Sequence, residues 1–178
     1  MKYEYLLTLH NFLQDEDMLL FEKAVELSNA PSHGTYFNSV AEFISTWADS
    51  DQIIIGKILP QNQVRTLVYT NKNEVLPNVT YSTKGTPCEN TLQLGICYYP
   101  FDVQLHFPED ECLTHLNLES YLGTAVTDAS GEAVGIIALL HTKPIENAAL
   151  KKELFTILGP RLEEELKKVN YPSQVNSR

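Results

Sequence analysis

The residues best equipped for chemistry crowd one stretch of the chain. Between positions 82 and 118 lie all three cysteines (Cys88, Cys97, Cys112), two of the five histidines (His106, His115) and the acidic run Glu109-Asp110-Glu111. Metal binding is the first chemistry to weigh. Cys112-x-x-His115 places two ligands on one helical face, His106 lies nearby, and Cys88 or Cys97 is a conceivable fourth. No paired C-x-x-C accompanies them, so packing or surface roles explain these residues better and no metal is expected. The carboxylate run fits the solvated start of a helix, where amide dipoles favour negative charge. No second carboxylate cluster faces it as an acid–base partner. The chain has no Gly-rich phosphate loop, G-x-S-x-G elbow or H-E-x-x-H, and Gly123, Gly131 and Gly135 fall within strands or their turn. No catalytic residue is expected. The aromatics Tyr98, Tyr99, Phe101 and Phe107 would either line a cavity or fill core beneath a long loop, and both alternatives stand.

Composition narrows the setting of this stretch. The 178 residues are 43% apolar and 20% charged, ordinary values for a globular chain that buries its own core. Net charge is -10 and uneven: residues 1–142 carry 18 acidic against 6 basic side chains, residues 143–178 carry 5 against 7. Such a body repels phosphate backbones and anionic lipid, so neither nucleic acid nor a membrane surface is an expected partner. No apolar run reaches the roughly 18 residues of a bilayer span. The N-terminus lacks a small-residue cleavage site, and three cysteines form no disulfide framework. Both features point to a cytoplasmic chain with reduced thiols.

The elements that must position these residues follow from hydrophobic period. Helical spacing marks 17–29, with Asp17 as cap, then 35–48, 108–116 opening at Pro108, and 146–168. Strands are predicted at 52–59 and 64–70 around the break "PQNQ", weakly at 76–82, and on both sides of "ASG". There Asp128 and Gly131 suit a tight hairpin. This order predicts an α+β fold: one antiparallel sheet with N- and C-terminal helices on one face and the 82–118 excursion over the other. A connection of that length in a compact domain is usually functional. The expected organisation is an N-terminal helical extension over 1–16, one domain over 17–169 and a loose tail over 170–178. Met1 implies that nothing precedes it.

The motifs of this domain carry a resemblance. "ADSDQIIIGKIL", "GTPCENTLQLGICYYPFDVQLHFPEDE" and "LESYLGTAVTDASGEAVGIIALLHTKPI", followed by Arg161, Glu165, Leu166 and Lys168 on the last helix, are similar to the GAF domain, in the branch found in bacterial sensor proteins. The resemblance implies a PAS-related sheet of five or six antiparallel strands with a ligand pocket between sheet and excursion. The matching pocket positions are Tyr81, Cys88, Leu92, Tyr98, Val103, Phe107, Ser120 and Tyr121. None is Lys or Arg, which disfavours cyclic nucleotides, and the residues name no cofactor. The implied role is a non-catalytic, small-molecule-sensing input to a signalling pathway, with a homodimer and an output domain or partner signalling protein.

Two enzymatic or cofactor-bearing relatives can be compared by residue. Bilin-binding members attach chromophore through Cys-His, a dipeptide absent here. The free methionine-(R)-sulfoxide reductase is the alternative, with Cys88 and Cys112 suggestively placed. Ala138 and Leu140, however, stand where its amine-binding aspartates belong. A dimerisation scaffold with a filled pocket is the other alternative. The stripe Leu150, Leu154, Leu158, Leu162, Leu166 has the spacing of a dimer or transmission seam, and equally of a helix packed on its own sheet. Gly159-Pro160 predicts a kink or break, leaving "RLEEELKK" as a short second helix.

Overall fold

The computed structural model describes residues 15–31, 34–72 and 74–170. All but the last two residues of the expected 1–16 extension, and the expected tail past Asn170, lie outside the described residues. Seven antiparallel strands form the sheet: β1 (Gln52–Leu59), β2 (Gln63–Asn71), β3 (Glu74–Val75), β4 (Thr80–Ser82), β5 (Ile96–Tyr99), β6 (Ser120–Thr127) and β7 (Ala133–His141). The order is β3-β2-β1-β7-β6-β5, with β4 also paired to β2. Because β3 joins β2 at Thr70↔Val75 and β4 joins it at Val64↔Tyr81, both occupy the same edge, and the sheet is six positions wide. Strand β1 runs between β2 and β7 and is covered on both faces, which is why "QIIIGKIL" reads as a continuous apolar run. The β6–β7 turn closes on Asp128, whose Oδ1 accepts hydrogen bonds from Ser130 N at 2.8 Å and Glu132 N at 3.1 Å, while Gly131 supplies φ +85°.

The two faces of the sheet are covered by different parts of the chain. Helices α1 (Asp15–Ser28) and α2 (Tyr36–Ser45) join the closing helix α6 (Ala148–Lys168) on one face, in a core with Ile53, Ile55, Val68, Ile137 and Leu139. The other face carries α3 (Pro87–Leu94), α4 (Val103–His106) and α5 (Glu111–His115) over Ile54, Val64, Tyr121, Ile136 and Ala138. Two local expectations need correction. Strand structure in 76–82 is confined to Thr80–Ser82, and the 108–116 helix begins at Glu111. Asp110 caps it, its Oδ1 accepting the Cys112 amide at 3.1 Å; Pro108 precedes the cap and does not open the helix.

The closing helix also departs from expectation, since α6 runs unbroken from Ala148 to Lys168 with Pro160 inside it. Packing explains the continuity. Leu154, Leu158, Leu162 and Leu166, on both sides of the proline, are at most 1% exposed against the chain's own sheet, while Pro160 itself faces outward. Leu150 is half-buried on the same side. The stripe is therefore occupied within the chain. The helix end is tied to the sheet by Lys57 of β1, whose Nζ donates to the carbonyls of Leu166 (2.7 Å) and Val169 (2.6 Å), a cation placed where helix carbonyls lack partners. Gly135 lets α6 sit this close: a Cβ there would overlap Leu166 and lie 2.8 Å from the Gly56 carbonyl. Among the described residues no helix is long and apolar enough to cross a membrane.

Candidate ligand cavity

The excursion is pinned to the sheet before it turns. Gln61 and Asn62, both at positive φ, end the β1–β2 hairpin, and the Asn62 carbonyl accepts both Thr83 N (2.8 Å) and Thr83 Oγ1 (3.0 Å). Helix α3 then starts at Pro87, where a missing amide costs nothing, and Glu89 reaches back to accept the Gly85 amide at 3.0 Å. Across from it, the Glu109 carboxylate would lie 3.8 Å from a Cβ at Gly85, so the two arms of the excursion meet there.

Between these arms and the sheet is a cavity of about 430 Å³, within the usual size range of small-molecule sites. Gln52 and Ile54 of β1, Thr66 and Tyr69 of β2 and Leu140 of β7 make its floor. Val79, Tyr81, Ser82, Lys84, Thr86, Pro87 and Cys88 form one wall, Glu109 to Leu113 the other. A β-bulge shapes the floor. Ile55 pairs with Val68 but Gly56 pairs with Thr66, so Leu67 is an extra residue, and Thr66 and Tyr69, three apart, both serve the cavity side. Val68 goes to the helix face instead. Thr66 Oγ1 also accepts the Val79 amide at 2.8 Å, tying the first wall to the floor.

Gln52 is fully buried; its Nε2 donates to Tyr69 Oη at 3.4 Å, and its Oε1 has no partner among the described residues. Burial pushes the Asp110 carboxyl up, against the amides of Leu113 and Cys112, which pull it down. Partial burial of the Cys112 thiol, in a residue that is exposed overall, and then the Asp110 carboxylate push it up, only partly offset by the Tyr69 hydroxyl. Burial also raises the Cys88 thiol, although Tyr81 Oη donates to its Sγ at 3.4 Å and Tyr121 Oη at 3.6 Å. Neither thiol is shifted toward thiolate, the reactive form. Among the described residues no group of three or more His, Cys, Asp and Glu side chains is set to hold a metal.

The eight positions singled out from sequence are not gathered in one place. Tyr81 and Cys88 line the cavity. Val103 and Tyr121 are fully buried in the core below the excursion, where Tyr121 Oη lies 2.8 Å from Thr91 Oγ1, and Leu92 and Phe107 pack against that core. Phe107 stands perpendicular to Tyr99, ring centroids 5.3 Å apart. Ser120 is buried and donates to the Lys143 carbonyl. Tyr98 is 42% exposed and donates to the Ile145 carbonyl at 2.6 Å. Its strand pairs Tyr98 with Leu122 and Cys97 with Gly123, so parity sends Cys97 under the excursion and Tyr98 to the other face. Residues absent from that set but present in the cavity include Gln52, Thr66, Tyr69, Asp110, Cys112 and Leu140. Asp110 and Cys112 belong to the stretch the sequence marks for chemistry, and Gln52 carries a weaker signal, a polar residue opening a buried apolar strand.

No family model matches the sequence, and no curated protein matches it. Solved structures do. A GAF domain from A. aeolicus, solved in an inactive state, matches 85% of this chain and 95% of its own at a TM-score of 0.60 and 12% identity. The chain has the GAF fold. The chromophore-binding domain of an unusual bacteriophytochrome from R. palustris is similar over 87% of this chain at a TM-score of 0.65 and 10% identity. This chain spans 63% of that structure. At these identities the likeness is one of architecture: the six-position sheet, helices on one face, excursion on the other.

Proposed function

We propose that the chain is a non-catalytic, small-molecule-sensing GAF domain, a cytoplasmic regulatory input to a bacterial signalling pathway that acts on a partner signalling protein or an output domain. The observation that carries this is the cavity of about 430 Å³ bounded by sheet and excursion together. Its occupant would contact β1, β2 and β7 on one side and the segments 79–88 and 109–113 on the other, so binding would bias how the excursion sits. Lys57, on the same strand as Gln52 and Ile54, holds the end of α6 and gives the floor a direct tie to the exit helix. The expected homodimer would use surface other than the leucine stripe; Leu19 and Val25 of α1 are exposed and apolar. A thermal-shift screen tests the sensing role. A true ligand at about a hundred times its Kd stabilises the folded chain by about 2.7 kcal/mol, and silence across a broad library rejects the proposal.

One observation favours a second function: Cys88 and Cys112 line the same cavity, as a sulfoxide reductase of this fold would need. Against it, burial raises both thiols, and Ala138 and Leu140 leave a substrate ammonium without carboxylates on β7. Thioredoxin-coupled turnover of free methionine sulfoxide that vanishes in Cys112→Ser would establish the enzyme in place of the sensor.

A further inference from the structure

We propose that the outer edge of β5 is a self-association surface, on which the same strand of a second copy of this chain pairs antiparallel. The proposal rests on the homodimer named above and gives it a site. The backbone is the first ground. The Ala125 amide donates to the Gly95 carbonyl at 2.8 Å, and in the same register Cys97 faces Gly123 and Tyr99 faces Tyr121. Antiparallel pairs alternate between bonded and non-bonded, so the N–H and C=O groups of Ile96 and Tyr98 point away from β6. Among the described residues no other strand pairs with β5, and no further backbone hydrogen bond reaches Ile96 or Tyr98. Such groups are a template for one more strand, and β5 carries no charge, proline or bulge to block it.

Charge decides the occupant. From Asn90 to Phe101 the chain has no charged side chain, although its net charge is -10. A two-fold contact lays a patch against itself, so any charge within it meets its own kind, and an uncharged patch escapes that cost. A foreign partner of so acidic a chain would instead be drawn to its carboxylates. The opposite edge of the sheet is defended: β3 and β4 are two and three residues long, and Arg65, Glu74 and Lys84 stand on or beside them. Beside β5, in contrast, Leu94, Phe101 and Leu105 are 71%, 62% and 78% exposed. One register uses every free group on the strand: Ile96 of each copy pairs with Tyr98 of the other, and the symmetry axis passes beside Cys97. The end of α3 at Leu94 then meets the Pro100–Phe101 bend of the second copy, covering apolar side chains at both ends of the ladder. Tyr98 Oη donates to the Ile145 carbonyl, which ties this contact to the connection into α6. A ladder of four residues is small, so the dimer belongs to the weak, transient class.

Sedimentation equilibrium of the full chain from about 1 µM to 1 mM should show a reversible dimer that tightens as salt screens the two net charges. Hydrogen exchange read by NMR should show the Ile96 and Tyr98 amides slowing as the dimer fills. Leu94→Glu with Phe101→Glu, both at exposed sites, should weaken the dimer roughly tenfold. Leu94→Lys with Phe101→Glu should restore it, since antiparallel order sets the two sites against each other. Equal dimerisation of the two double variants overturns the antiparallel pairing. A chain that stays monomeric at the top of the range removes both the homodimer and this surface. A dimer broken by Leu19→Glu with Val25→Glu, and indifferent to the edge variants, keeps the homodimer and removes the edge. Ile96 and Tyr98 amides already protected in the monomer would mean that residues 1–14 of the same chain hold the edge, which also overturns the proposal.

Discussion

Asp51 shows how single side chains fix the floor of the cavity. It sits one residue before Gln52, and its Oδ2 accepts the Thr142 amide (2.8 Å) and hydroxyl (2.6 Å) and contacts His141 Nδ1 at 2.8 Å, clamping the end of the β1–β7 ladder. Gln52 and Leu140, paired just inside that clamp, are both floor residues. Burial raises the Asp51 carboxyl, but the Thr142 hydroxyl and amide and the His141 ring outweigh it, so its pKa lies below the ordinary 3.8. A carboxylate depressed in the folded state stabilises above its unfolded pKa, and that contribution drains away as pH falls through the lower folded value. Asp51→Asn should therefore cost about 1–2 kcal/mol near neutral pH, with the deficit shrinking below 3.8. Urea titrations across that range check it; a deficit independent of pH would mean that the clamp is not ionic. At this scale the sequence is least legible. The family resemblance puts Tyr98 and Ser120 at pocket positions, but strand parity turns Tyr98 to the other face and Ser120 donates to the Lys143 carbonyl outside the cavity.

At the scale of elements the apolar period predicted most helices and strands, because burial on one face is what writes that period. It missed β3, β5 and α4, each too short to write a period, and it failed where a local rule was overridden or broken. The bulge at Leu67 reverses the faces of β2 midway, so Val64 and Val68, an even number of residues apart, lie in opposite cores. No alternation pattern reveals such a reversal. Helix α6 shows the other case: Pro160 removes the amide that would bond to Thr156, yet four buried leucines hold the helix together. That proline is outward-facing, so Pro160→Ala restores a hydrogen bond without disturbing the core. The expected result is a stabilisation of about 1–3 kcal/mol, read as a higher denaturant midpoint. A lower midpoint would show that the proline fits a distortion on which the packing of α6 depends.

For the molecule as a whole, the arrangement of two unlike coverings on one sheet was legible: helices at both ends of the chain and strands between left the opposite face to the 82–118 segment, although its residues Ile96–Tyr99 return to the sheet as edge strand β5. The position of the hollow beneath it was not. The aromatics Tyr99, Phe107 and Tyr121 fill the space under one half of the excursion, and the cavity opens under the other, toward β2. Which half is filled depends on side-chain volumes meeting across the sheet, information spread over residues far apart in sequence. The make-up of the cavity walls then follows from which residues happen to face that half.

The central claim is that this half-roofed hollow is where a small molecule binds. Amide chemical-shift mapping tests it most directly: an isotope-labelled chain is titrated with the strongest thermal-shift hit. Binding should move amides of β1, β2, 79–88 and 109–113 together while leaving α1 and α2 in place. Shifts confined to the helix face, or scattered over the surface with the cavity residues silent, would contradict the account.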